Sequence, residues 1–122
     1  MEKKHITVIE SSDIVSTSLK RFFKKNNLDF YKNFDEIIGF NKYETDLFII
    51  SFESNGKYNG LDFVSHLESI DSKIPCVIYA DNCSEVIASK FQKSSIVDDV
   101  ILKTDNEIKN KFKKISFKHG FK

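Results

Sequence analysis

Five short apolar runs, each followed by a longer amphipathic stretch, constrain this chain more than any other feature. Residues 6–9, 47–50, 76–79 and 100–102 are compact and rich in Ile, Val and Leu, and 28–31 forms a weaker run. Runs of this length with β-branched residues predict strands. Helical spacing fills the intervals. It is carried first by Val15, Leu19, Phe22 and Phe23, then by Phe34, Ile37 and Ile38, then by Phe63, Val64, Leu67 and Ile70. Ile87 and Phe91 mark a fourth helix, and Ile108, Phe112 and Ile115 a fifth. Thr104 and Glu107 stand at capping-box spacing and predict the start of that last helix.

Five repeats of strand then helix predict an α/β fold of the flavodoxin-like (βα)5 kind, a three-layer sandwich. Unbroken apolar strands such as Leu47-Phe48-Ile49-Ile50 suit a parallel sheet covered on both faces. Right-handed crossovers favour the strand order 2-1-3-4-5, with ligands at the carboxyl ends of the strands near the reversal of order. The expectation is one domain over residues 1–122, with its core at about 5–116 and a tail or linker stub at 117–122. With 40% apolar and 13% aromatic residues, four Gly and one Pro, the chain has material for a packed interior.

A net charge of +1 favours neither nucleic acid nor an anionic membrane. The distribution is less even, since residues 103–122 hold seven Lys against Asp105 and Glu107. Those lysines alternate with Phe112 and Ile115, which predicts the solvated face of the last helix. No apolar run reaches the length of a membrane span or a signal peptide, and Cys76 and Cys83 make a poor disulfide pair, so a reduced, cytoplasmic protein is expected.

The blocks at 6–13 (Ile-Thr-Val-Ile-Glu-Ser-Ser-Asp), 45–51 (Thr-Asp-Leu-Phe-Ile-Ile-Ser), 74–80 (Ile-Pro-Cys-Val-Ile-Tyr-Ala) and 97–103 (Val-Asp-Asp-Val-Ile-Leu-Lys) resemble the signature blocks of response-regulator receiver domains. Gly60-Leu61, opening the third helix, also matches that family. Receivers hold Mg²⁺ on an acidic pair after strand 1, accept phosphate on an Asp ending strand 3, sense it with a hydroxyl ending strand 4 and contact it with a Lys ending strand 5. Carried over position by position, the resemblance puts Glu10 and Ser11 at the acidic pair, Ser51 at the acceptor and Ala80 at the hydroxyl. Lys103 keeps the lysine, Val100 takes the aromatic switch position, and Thr104 replaces the usual Pro. The implied pocket is degenerate.

Ser51 has no His placed beside it to act as a base, so it reads as a small polar residue ending strand 3. No metal is expected, because Mg²⁺ needs near-octahedral oxygen ligation from more than one carboxylate. Glu10, Asp13 and Glu53 are weak candidates, with Asp81 a further one, and Asp13 better suits the cap of the first helix. Lys103 is expected to pair with Glu10, a contact that contributes about 0 to 1 kcal/mol if partly exposed. Cys83 reads as a free thiol, and His5, His66 and His119 lack metal-ligand spacing.

The resemblance implies a non-enzymatic, phosphorylation-independent receiver that acts as a protein-interaction module. Its docking face would be the fourth helix, fifth strand and fifth helix, including residues 84–93, Val100 and the segment from Asp105, with a homodimer as one such assembly. One alternative is a working phosphorelay receiver with unconventional acceptor or metal ligands, whose partner would be a histidine kinase. Another is a small-ligand-binding flavodoxin-like domain, although no Gly-rich phosphate loop follows strand 1. No membrane partner is expected, and nucleic acid only through an output domain outside this chain.

Overall fold

In the computed structural model, which describes residues 4–52, 56–81 and 84–121, each apolar run becomes a strand. The order is β1 (His5–Ile9), α1 (Asp13–Phe22), β2 (Asn27–Tyr31), β3 (Leu47–Ile50), α2 (Gly60–Ser69), β4 (Cys76–Ala80), α3 (Glu85–Gln92), β5 (Val97–Leu102) and α4 (Ile108–His119). All strand pairs are parallel and the sheet order is β2-β1-β3-β4-β5. The expected flavodoxin-like architecture is therefore present.

Every residue of β3 and β4 is buried, because helices cover both faces of the sheet there. Alternation along the strands sorts their side chains into two layers. Ile6, Val8, Ile49, Tyr79 and Ile101 pack with Leu19 and Phe23 near α1 and with Phe112 and Ile115 of α4. Ile9, Phe48, Ile50 and Ile78 pack on the other side with Phe63, Leu67 and Phe91. The edge strand β2 is only partly buried, which is why its apolar signal is weak.

The second helix expected at Phe34, Ile37 and Ile38 is a single helical turn. The Asn33 side chain accepts from Asp35 N–H at 3.1 Å, and the Phe34 carbonyl accepts from both Ile37 and Ile38, at 3.0 and 2.8 Å. One turn does not offset the cost of helix nucleation, and Tyr43 folds back onto that turn. Its ring lies 5.4 Å from Phe48 and 5.7 Å from Phe63, and its hydroxyl donates to the Ile37 carbonyl. Burial pushes the Tyr43 phenol up to about 12.

Three helix boundaries differ from the sequence reading. Ser12, not Asp13, caps α1, its hydroxyl accepting from Val15 N–H at 3.4 Å, while Asp13 becomes the first helical residue. The Thr104–Glu107 box does not form, and α4 has no side-chain cap at its start. Instead the Asp105 carboxylate reaches forward to accept from Glu107 N–H at 2.8 Å and from Lys111 Nζ, an Asx turn that competes with the box. The segment expected as a tail from 117 continues α4 to His119. There Gly120 adopts φ 74° and Phe121 N–H reaches the Ser116 carbonyl at 2.8 Å, a Schellman ending that folds Phe121 into the α1–α4 layer.

One irregularity marks β5. Cys76 pairs with Val97 but Val77 pairs with Asp99, so Asp98 is an extra residue in the ladder. Val97 and Val100, three residues apart, consequently face the same layer. The Asp98 carboxylate meets His119 Nε2 and lies 3.3 Å from Lys118 Nζ, tying β5 to the end of α4.

Candidate functional site

The strands converge at their carboxyl ends through backbone bonds that continue just past the sheet. Glu10 N–H donates to Tyr31 O at 2.9 Å, Ser51 N–H to Ile9 O at 3.0 Å and Lys103 N–H to Ala80 O at 2.7 Å. Glu10, Ser51, Ala80 and Lys103 are therefore held in fixed register around the middle of the sheet. Ser51 and Ala80 are buried, and Ser11 is half-buried beside Glu10. Gly60 lets α2 start tight against β3: a Cβ there would stand 3.2 Å from the Ser51 carbonyl.

Lys103 Nζ bonds Glu10 Oε1. The two side chains are only 11% and 4% exposed, so this is a buried ion pair and not the half-exposed contact the sequence suggests. The other carboxylate oxygen of Glu10 accepts from Ser12 N–H at 3.4 Å. Asp81, exposed, approaches Lys103 at 3.8 Å, and the Tyr79 ring centroid lies 5.6 Å from the ammonium. Burial raises the Tyr79 phenol above its ordinary value, and the negative charges of Glu10 and Asp81 raise it further. Tyr79 and Asp81 are neighbours of the ammonium that sequence reasoning did not connect with it. For Tyr79 the signal was there: it shares strand parity with Ile101 and hence with Lys103.

The remaining candidates lie apart. Asp13 is exposed and pairs with Lys32 at 3.4 Å. Val100 is half-buried in the layer under α3. Glu53 and Cys83 fall outside the described residues. His5 lies near Asp29 at the opposite end of β1, His66 bonds the Phe40 carbonyl at 2.6 Å, and His119 meets Asp98.

This donor set does not fit a divalent cation. Its one buried carboxylate already carries an ammonium, its neighbours at Ser11 and Ser51 supply hydroxyls instead of charge, and no group of three or more His, Cys, Asp or Glu side chains able to hold a metal occurs among the described residues. The pocket can hold charge in a fixed, neutralised arrangement. Among the described residues it offers no carboxylate at the end of β3 and no free acidic pair.

No protein-family model matches the chain, and no curated protein matches it. Solved structures do. The phosphorylated cyanobacterial phytochrome response regulator RcpA superposes with a TM-score of 0.81 at 15% identity, covering 97% of this chain and 94% of that one. A two-component response regulator from Clostridium difficile gives 0.79 at 19% identity, with 94% of each chain covered. The Mn²⁺-bound form of the response regulator Rcp1 gives 0.78 at 16%, covering 95% and 94%. At such identities the property shared is the fold, and it is the fold of response-regulator receiver domains.

Proposed function

We propose that this chain is an atypical receiver domain of two-component signalling, one that works as a protein-interaction module without accepting phosphate. The observation that carries this reading is the Lys103–Glu10 pair, which occupies the centre of the pocket where a receiver's phosphoryl group and metal would meet. Transfer to a receiver needs a carboxylate nucleophile, a divalent metal and positioned donors. Ser51 supplies no carboxylate, Ser11 halves the acidic pair and Ala80 offers no hydroxyl. The chain is then a non-enzymatic signalling domain with no resident metal, in the cytoplasm, in line with the lack of any helix among the described residues long and apolar enough to cross a membrane.

Its output passes through a surface in one arrangement. Val100, in place of a switching aromatic ring, supports a docking face of α3, β5 and α4 that is constitutive, with a second copy or another signalling protein as partner. Val86, exposed in the first turn of α3, belongs to that face.

Intact-protein mass spectrometry after incubation with acetyl phosphate and Mg²⁺ tests the reading. No added phosphoryl mass is expected on the chain, whereas a Ser11→Asp, Ser51→Asp control restores two of the missing carboxylates and should gain one. A phosphoryl group mapped to Ser51 or Glu10 of the unaltered chain would establish the phosphorelay alternative, with a histidine kinase as partner.

A further inference from the structure

At the other end of the sheet, where α1 and α4 finish, lies a groove of about 430 Å³. Phe22, Phe117 and Phe121 form its apolar wall, and Lys24, Lys25 and Lys113 its rim. Phe22 is steadied by Phe112 at 5.5 Å, and Phe121 by the Schellman turn, so two of the three rings are fixed. Phe117 is 90% exposed, a cost no contact within the described residues offsets.

The charged side chains that line this groove are all of one sign. Lys32, Lys103, Lys111 and Lys118 each have a carboxylate partner. Among the described residues Lys24, Lys25 and Lys113 have none, as is also true of Lys20, Lys42 and Lys90 elsewhere on the surface, and no described carboxylate lines the groove.

We infer that this groove docks an acidic segment of a partner protein that presents one bulky apolar side chain. The side chain enters between Phe22, Phe117 and Phe121, and its neighbouring carboxylates meet Lys24, Lys25 and Lys113. The volume is that of a small ligand pocket, which suits one or two side chains. A flat bilayer surface would leave a concavity of this kind unfilled. The site stands at the amino ends of the strands, away from the Lys103–Glu10 pocket, and it rests on none of the argument about phosphate.

The probe is a panel of short capped peptides with a central Leu, Phe or Trp flanked by Glu, titrated against the whole chain by fluorescence anisotropy at low salt, with amide chemical shifts as the map. Saturable binding by at least one member is expected, with shifts confined to the ends of α1 and α4. Gln in place of the flanking Glu should weaken it at least tenfold, as should Phe117→Ser, or Lys24→Glu with Lys25→Glu. All three positions are exposed, and an unchanged thermal midpoint confirms that the variants fold. Failure of every peptide to bind, or binding indifferent to these changes, overturns the inference. So does Phe117-dependent binding to phosphatidylserine vesicles without peptide binding, which assigns the groove to a membrane. A concentration-dependent dimer abolished by Phe117→Ser assigns it to a second copy and overturns it equally. The phosphoryl mass measurement reads the opposite end of the sheet, so either reading can fail alone.

Discussion

The two ends of this sheet handle positive charge in opposite ways. At the carboxyl end one ammonium is taken out of water and joined to one carboxylate, with an aromatic ring and a second, exposed carboxylate nearby. At the amino end three ammonium groups stand in solvent around an apolar groove lined by no carboxylate among the described residues. The first arrangement is closed: its groups satisfy one another, and removing either leaves a charge stranded. The second is open, and its groups can change with little consequence until something binds. A buried pair fixes internal structure, whereas unpaired surface charge is available to a partner.

The sharpest version of the contrast lies within α4. Phe112 is buried, with Tyr79 at 5.3 Å and Phe22 and Phe23 each at 5.5 Å. Phe112→Ala should cost about 4 kcal/mol in urea unfolding, whereas Phe117→Ala, five positions on and exposed, should change stability by less than about 0.5 kcal/mol. Comparable losses at the two positions would mean that Phe117 is a core residue and that the groove is closed.

Next comes the pair itself. Lys103→Met leaves Glu10 buried without its partner and should cost about 3 kcal/mol, while Glu10→Gln combined with Lys103→Met should lie within about 1 kcal/mol of the unaltered chain. Denaturant midpoints for the two single variants and the double one give the coupling directly. If the single changes cost no more than a surface pair would, the pocket is wet and the two ends are alike.

At the open end, Lys24→Gln, Lys25→Gln and Lys113→Gln together should leave the thermal midpoint unchanged or slightly raised, because they relieve repulsion among like charges. A clear fall would reveal hidden partners for these lysines.

The smallest effect concerns Asp105, whose carboxyl is held below its ordinary value by the hydrogen bond from Lys111 and then by Glu107 N–H. Its contribution to the start of α4 is present above the unfolded-state value and disappears as the pH falls through the lower, folded one. NMR titration should find the Asp105 midpoint below 3.8, and Lys111→Ala should move it back up. A midpoint at the ordinary value would show that this turn holds no fixed charge pair.

Much of this was legible in the residues, for identifiable reasons. Strands sandwiched on both sides must be apolar throughout, so β3 and β4 announced themselves, and parallel crossovers left few topologies. The strand ends converge by topology alone, which is why Glu10 and Lys103 could be paired from positions 93 residues apart. Local competition was not legible. Whether Thr104 or Asp105 would engage the start of the last helix, and whether Phe34 to Ile38 would go beyond a single turn, depended on tertiary packing. The groove escaped because it joins Phe22 to Phe117 and Phe121 across most of the chain. A local signal did exist: Gly120 followed by Phe121 after a helical run is the pattern of a Schellman ending, which turns a final aromatic residue inward.

The extra residue at Asp98 has a consequence for which face of the sheet each later side chain meets. Strand residues alternate with a period of two, so one insertion reverses the parity of all that follows. Ile101 thereby shares the layer of Tyr79 and Val8, and two positions on, Lys103 emerges on the side where Glu10 follows Val8. Were Asp98 paired opposite Val77 instead of bulged out, every later residue would slip by one: the ammonium would swing to the opposite side of the sheet, toward α3, while Glu10 stayed where it is. An odd residue in an edge strand thus acts as the phase setting for a contact made five positions later.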